Sequence, residues 1–190
     1  MKRTLKTVLA LSFVVLLAAC GSNQQPKDSH EGHDHGAATP AEASAPAVAT
    51  GSMASMASLK DSNLNAVYQQ YQNLTKVLTE GDATAAKVSS LALEAGAKEI
   101  KGGATLATTA AQITGAQDIE AQRTLYASLS DEFISLVKES GLESGELYVA
   151  HCPMALNDKG ASWVSNSKEI RNPYFGESML TCGSVKETLK

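Results

Sequence analysis

Cysteine is scarce in this chain, with three in 190 residues, at positions 20, 152 and 182. No two of them make a Cys-x-x-Cys pair, so thioredoxin-type redox motifs, haem-attachment motifs and four-thiolate zinc sites are excluded. A Gly-rich phosphate-binding loop is missing too. Aromatic residues make up only 5% of the chain, with a single tryptophan, so any core must rest mainly on Leu, Val and Ala. There is no cationic excess: 16 Lys and Arg face 20 Asp and Glu, the reverse of what a nucleic-acid partner requires. Nor is there a long apolar run. The longest, Val8 to Leu17, is roughly half of the ~20 residues a membrane-spanning helix needs.

That short run nevertheless has a recognisable setting. Lys2, Arg3 and Lys6 precede it and Leu17-Ala18-Ala19-Cys20 closes it, which reads as a secretory signal over residues 1–19. The closing tetrapeptide resembles a bacterial lipobox, which implies that Cys20 is acylated. The alternative, an ordinary signal peptide, would leave a free thiol beside a Gly-Ser linker. Gly21 after the cysteine implies sorting to the outer membrane, facing the periplasm. Residues 1–19 carry three basic residues and no acidic one, so the remainder holds 13 Lys and Arg against 20 Asp and Glu, a formal charge of −7. Residues 20–59 are rich in Ala, Ser, Thr, Pro, Gly and Gln and hold no aromatic residue. Such a stretch buries too little apolar surface to offset its ordering entropy and is predicted to be a disordered tether. It contains His30, His33 and His35, three of the four histidines. Short His-rich tracts gather Cu(II), Zn(II) or Ni(II), so these three form a candidate auxiliary metal-collecting tail.

From Lys60 to Lys190 the chain is long enough for one domain with one core. Leu64, Val67, Tyr68, Tyr71, Leu74 and Leu78 recur at helical spacing, with Asp61 or Ser62 as cap and Gly81-Asp82 ending one helix and starting another. Val88, Leu91, Ala92 and Ala95 repeat the spacing to about Glu99, and Gly102-Gly103 breaks the chain again. Leu106, Ala110 and Ile113 mark a third helix. A fourth, over about 118–139, aligns Ile119, Tyr126, Leu129, Phe133, Leu136 and Val137 before Gly141. The predicted fold is mainly α: an antiparallel up-and-down bundle of three to four helices, with an irregular or β-hairpin C-terminal segment packed on it. Gln122 and Arg123 interrupt the fourth stripe. Either Arg123 buries its stem and points its head to solvent, or it hydrogen-bonds carbonyls or a carboxylate beneath the C-terminal segment, since a buried guanidinium must be paired.

Past Gly145 the composition changes. Leu147–Ala150 and Ala161–Val164 read as strands flanking the turn residues Asn157 to Gly160, and Gly183 leads toward a terminal helical turn. Two of three cysteines, two of five methionines and the fourth histidine fall in this stretch, as His151-Cys152-Pro153-Met154 and Met179-Leu180-Thr181-Cys182. Soft sulfur donors beside imidazole suit Cu(I) or Ag(I), whereas hard ions want oxygen. The candidate metal ligands are therefore Cys152, Met154, Met179 and Cys182, with His151 as an added donor. The competing reading is a structural Cys152–Cys182 disulfide, since an oxidising compartment and two cysteines beyond Cys20 suffice for one. Trp163, Tyr174 and Phe175 are expected to dock the segment on the bundle and shield the sulfurs. Catalysis is not expected, because adjacent strand residues face opposite sides and leave His151 badly placed to activate Cys152.

The strings Cys-Pro-Met-Ala (152–155), Gly-Ala-Ser-Trp (160–163), Glu169-Ile170, Asn-Pro-Tyr-Phe-Gly (172–176) and Met-Leu-x-Cys-Gly (179–183), with Gln122-Arg123 and Tyr68-x-x-Tyr71, together resemble a domain-of-unknown-function family. Its members occur as small periplasmic lipoproteins and as the C-terminal extension of periplasmic adaptor subunits of copper/silver efflux pumps. The resemblance implies a helical domain of copper handling, with a heavy-metal efflux component as its partner and no established activity. Two function classes follow. One is an envelope-anchored binder of Cu(I) or Ag(I). The other is a metal-free interaction module whose Cys152–Cys182 pair is structural.

Overall fold

The structure is a computed structural model that describes residues 57–190. The signal segment 1–19, the lipidation site Cys20, most of the tether and the histidines His30, His33 and His35 lie outside the described residues.

Four helices carry the core. Helix α1 spans Ser62–Glu80. The Asp61 carboxylate accepts from the Asn63 and Leu64 amides at its start, and Gly81 ends it in the left-handed conformation (φ 76°), a form a side chain would disfavour. Asp82 caps α2 (Ala83–Ala97) by accepting from the Ala85 amide, and Asp118 caps α4 (Ile119–Ser140) through the Ala121 amide. Helix α3 (Ala104–Gly115) starts without a side-chain cap. Successive helices pack on one another, and α1 and α4 also meet, as an up-and-down bundle requires. The predicted stripes of α1, α3 and α4 face inward: Leu64, Val67, Tyr68, Tyr71, Leu74 and Leu78 are buried, as are Leu106, Ala110 and Ile113, and Tyr126, Leu129, Phe133 and Val137.

Helix α2 departs from expectation. Val88, Leu91, Ala92 and Ala95 all face solvent, and the inward face is Ala86, Ser90, Leu93 and Ala97. The reason is closeness. A Cβ added at Gly96 would sit 2.7 Å from a methyl of Val67 on α1, so beside the single large Leu93 the buried face takes small groups, and the stripe with two bulky residues turns outward.

Beyond α4 the chain forms two small sheets. Strand β2 (Leu142–Ser144) pairs antiparallel with β1 (Ser58–Leu59), so Ser58 and Leu59, read above as the end of the tether, belong to the folded body. Leu59 is buried and joins the core. The second sheet has the order β4–β3–β5, all antiparallel, from β3 (Leu147–Cys152), β4 (Ala161–Ser165) and β5 (Ser184–Leu189). The register sets Cys152 opposite Ala161 and His151 opposite both Ser162 and Ser184. Strand β5 replaces the expected terminal helical turn. Without it the second edge of β3 would be left unpaired, and Val185 and Leu189 would lose their half-buried positions.

The β3–β4 connection is also more than a tight hairpin turn. It includes a single helical turn, α5 (Ala155–Asp158), in which Leu156, Asn157 and Asp158 all take left-handed backbone angles (φ 54°, 57° and 63°). For residues other than glycine this costs roughly 1–2 kcal/mol each, less for Asn and Asp. Among the described residues no helix is long and apolar enough to cross a membrane.

Candidate functional site

The sheet brings the two cysteines together. Strand β3 delivers Cys152 at its end, wholly buried, and Cys182 lies two residues before β5. Their Cα atoms are 5.7 Å apart and the sulfurs are joined as a disulfide. Gly183 makes the approach possible: a side chain there would come within 2.9 Å of the His151 carbonyl and 3.1 Å of the Trp163 ring. Of the two readings of this pair, the covalent one is the state the structure holds.

The methionines flank the bond unequally. Met154 is 47% exposed, on the turn after Pro153. Met179 ends a 3-10 turn (Gly176–Met179), is half-buried, and its carbonyl accepts from the Cys182 amide at 3.0 Å. His151 is half-buried, with Nδ1 3.0 Å from the Ser162 hydroxyl. Its ring lies over Gly160, where a Cβ would meet ring atoms at 2.7 Å. His151 also acts on α4: burial pushes the Asp131 carboxyl above its ordinary pKa while the charge of His151 pulls it down. Among the described residues no three imidazole, thiol or carboxylate groups are grouped to hold a metal. Any site here would depend on the thioethers and on opening the disulfide.

Arg123 answers the question its place in the helix raises. It is only 8% exposed. Nε donates to the Pro173 carbonyl at 3.0 Å, one terminal nitrogen to the Leu78 carbonyl at 2.9 Å and the other to Glu120 at 2.7 Å. It thus ties the end of α1 to the C-terminal segment, because one planar fork reaches several acceptors at fixed angles. Gly176 leaves it room: a Cβ there would lie 2.6 Å from the guanidinium and 2.7 Å from the Thr79 carbonyl. Gln122 is fully buried and donates to the Ala83 carbonyl at 2.9 Å, so the two polar interruptions of the stripe join α4 to neighbouring elements.

Two features of the site go beyond the sequence reading. Asn172 is fully buried and serves as a hub. Its side-chain nitrogen donates to the Cys182 carbonyl at 2.9 Å, its side-chain oxygen accepts from the Tyr174 amide at 2.8 Å, and its own amide donates to the Leu180 carbonyl. The Asn-Pro dipeptide signals a turn but says nothing of a partner ten residues away. The second feature is a set of buried phenols. Tyr71 donates to or accepts from Ser130, and its oxygen also accepts from the Val164 amide at 3.0 Å. Tyr174 donates to the Ser162 carbonyl at 2.6 Å. Two tyrosines, one from the bundle and one from the segment, therefore cap the outer edge of β4. Tyr126 bridges their rings, at 5.6 Å from each centroid, and Trp163 meets Tyr174 edge-on at 6.0 Å. Burial raises the pKa of Tyr68, Tyr71, Tyr126 and Tyr174. Trp163 and Tyr174 are buried and Phe175 is half-buried, in line with the expected docking of the segment.

Beside this seam runs a groove of about 390 Å³ between α1 and the residues after β4, with Asn73, Lys76, Glu80, Asn166, Glu169 and Arg171 among its lining. The hydroxyls on its floor are already engaged: Thr75 with Tyr71 and Tyr126, Thr79 with Thr75, Ser165 with Ser167.

Residues 67–145 match the family model described as a protein of unknown function (DUF3347). Comparison with curated proteins and with solved structures returned no match. The matched stretch covers most of the bundle and ends before His151. The bundle is thus similar to a domain of unknown function, and the cysteine and methionine strings lie outside the match.

Proposed function

We propose that the chain is an envelope-anchored binding protein for a soft monovalent metal, Cu(I) or Ag(I), that serves copper homeostasis or passes the ion to an efflux system. One juxtaposition carries the reading. Two segments separated by 30 positions place Cys152 and Cys182 side by side, with an exposed thioether two residues after the first and a half-buried one three residues before the second. Soft donors in that density suit Cu(I).

The bonded pair cannot ligate, so binding requires reduction. A thiol reductant supplies two electrons and two protons to the disulfide, giving two thiols and its own disulfide. The metal then displaces the thiol protons, because thiolate is the ligand. Met154 and Met179 supply neutral donors. In the proposed site His151, which lies over Gly160 on the face of β3 opposite Cys152, turns toward the sulfurs as an added donor once the disulfide opens. In this proposal Cys20 carries the lipid anchor at the outer membrane, and His30, His33 and His35 raise the local concentration of divalent ions.

The test is a Cu(I) titration of reduced residues 57–190, which omits the histidine tract, against a competing chelator with thiols counted before and after. One-to-one binding is expected, lost in Cys152→Ser and Cys182→Ser and weakened in Met154→Leu. A fully reduced protein that leaves the chelator saturated sinks the reading.

A second reading has its own observation. Cys152 is wholly buried, and the other signature residues have packing tasks: Gly160 under His151, Ser162 to Tyr174, Asn172 to Cys182, Pro173 to Arg123, Gly176 and Gly183 as clearances. That pattern fits a metal-free interaction module with a structural disulfide, docking on an efflux component or another envelope protein. It predicts that metal leaves the melting temperature unchanged and that the chain co-purifies with a partner.

A further inference from the structure

The outward face of α2 is the feature that neither reading above uses. Val88 and Leu91 are 68% and 58% exposed and, with Met154, are the large hydrophobic side chains most open to solvent among the described residues. Ala92 and Ala95 continue the same face, also exposed. Helix α2 thus carries an outward apolar stripe besides the face it buries, and an apolar stripe on a helix is ordinarily packed against a neighbour. Here α1 and α3 cover the inner faces and nothing described covers this one.

We infer that this face joins a second copy of the chain, α2 against α2, antiparallel about a two-fold axis passing between Leu91 and Ala92. The order of residue sizes suits that symmetry. Large side chains occupy the N-terminal half of the stripe and small ones the C-terminal half, so the axis sets Val88 against the second copy's Ala95, and Leu91 against its Ala92. Each bulk then meets a gap, twice over, as an isologous contact demands. A parallel arrangement would stack large on large and leave the alanines facing a void.

Charge favours the same arrangement. On an α-helix Lys87, Glu94 and Lys98 fall along one flank of the stripe, and a two-fold axis in the interface plane brings like flanks together. Lys87 then lies level with position 96 of the second copy, about 3 Å along the axis from that copy's Glu94 at ~1.5 Å rise per residue. Lys87 makes no ion pair among the described residues, while Glu94 pairs with Lys98 at 2.6 Å within the chain. In the dimer each Glu94 would face two lysines, and flanking charges of this kind set register and orientation between helices. One face of a 15-residue helix offers much less than the ~800 Å² per partner of a standard interface. The association is therefore weak, with a dissociation constant between about 10 µM and about 1 mM.

Sedimentation velocity on residues 21–190, which retain every described residue, tests this. The mass average should rise from monomer toward dimer up to about 1 mM protein, in line with that range of dissociation constants. Leu91→Glu should weaken the dimer at least tenfold and Lys87→Glu less, both with unchanged melting temperature, since both side chains already meet water. Gln112→Glu on the outer side of α3 should leave it intact. A chain that remains monomeric throughout, or a dimer that survives Leu91→Glu, overturns the inference. So does a monomer that binds phosphatidylglycerol vesicles through Leu91, which would give the face to a membrane.

Discussion

Helix α1 buries six apolar or aromatic side chains in one periodic stripe, whereas the segment after Gly141 adds scattered residues such as Leu147, Trp163, Val164 and Tyr174 to the same core and relies besides on a few point contacts. Of these, the Arg123 fork and the Tyr71 hydroxyl tie it to the bundle, and the disulfide, the Asn172 hub and the Tyr174 hydroxyl tie its own strands and turns to one another. Losing one methyl from a stripe creates a small cavity that neighbours partly fill. Losing one point contact leaves buried polar groups with no partner. The two regions should therefore fail differently: the bundle by degrees, the segment all at once.

The sharpest way to break this contrast is to cut the disulfide. Closing a loop of that length is worth about 3–4 kcal/mol in the chain-entropy model. Cys152→Ser should lower stability by about that much, and hydrogen exchange should show β3–β5 opening while α1–α4 stay protected. Equal loss of protection in the bundle would show that the two regions are one cooperative unit. Arg123→Met comes next. It keeps the apolar stem but strands the Pro173 and Leu78 carbonyls, at an expected cost of about 2–3 kcal/mol in urea unfolding. The pairing with exposed Glu120 adds little. Arg123→Lys should recover less than half of the loss, because one ammonium cannot reproduce the fork.

A pH titration probes the seam from the tyrosine side. Tyr68, Tyr71, Tyr126 and Tyr174 have pKa values raised by burial above that of an unfolded tyrosine. A raised folded pKa leaves stability untouched below the unfolded value of ~10 and removes it as pH climbs from there toward the folded value, since the unfolded chain ionises first. Phenolate absorbance should therefore show one of the five tyrosines titrating reversibly, Tyr148, itself shifted upward by its hydrogen bond to Glu146. The other four should ionise only with loss of the helical signal. Early ionisation of two or more would mean that the seam opens before the bundle.

The same contrast explains what could be read in advance. Asp61, Asp82, Gly81 and Gly141 marked helix ends because caps act within one turn, and the stripes of α1, α3 and α4 follow from a period of 3.6. On α2 periodicity had two answers, Val88-Leu91-Ala92-Ala95 and Ala86-Ser90-Leu93-Ala97. The choice depended on how near α1 comes, which Gly96 hints at but local spacing cannot decide. Arg123 was legible as a charge in an apolar stripe; its acceptors, Leu78 and Pro173, lie 45 and 50 positions away. Strand β5 was missed because Ser184–Leu189 has little apolar alternation and is held by β3 rather than by its own pattern. The cysteine and methionine strings were visible as a cluster, and the structure adds that the cysteines meet and are bonded.

The smallest expected effect tests the least regular part of the segment. Leu156, Asn157 and Asp158 run left-handed between Met154 and Gly160, and asparagine tolerates that region far better than alanine does. Asn157 is exposed, so its replacement changes backbone preference and little else. Asn157→Ala should destabilise by about 1 kcal/mol and Asn157→Gly by less than about 0.5 kcal/mol, because glycine fits the angle and loses only unfolded-state entropy. If the two variants melt alike, the turn is not held left-handed in solution. Met154 would then project from a freer loop, and the strain beside the sulfurs would drop out of any account of how the disulfide opens.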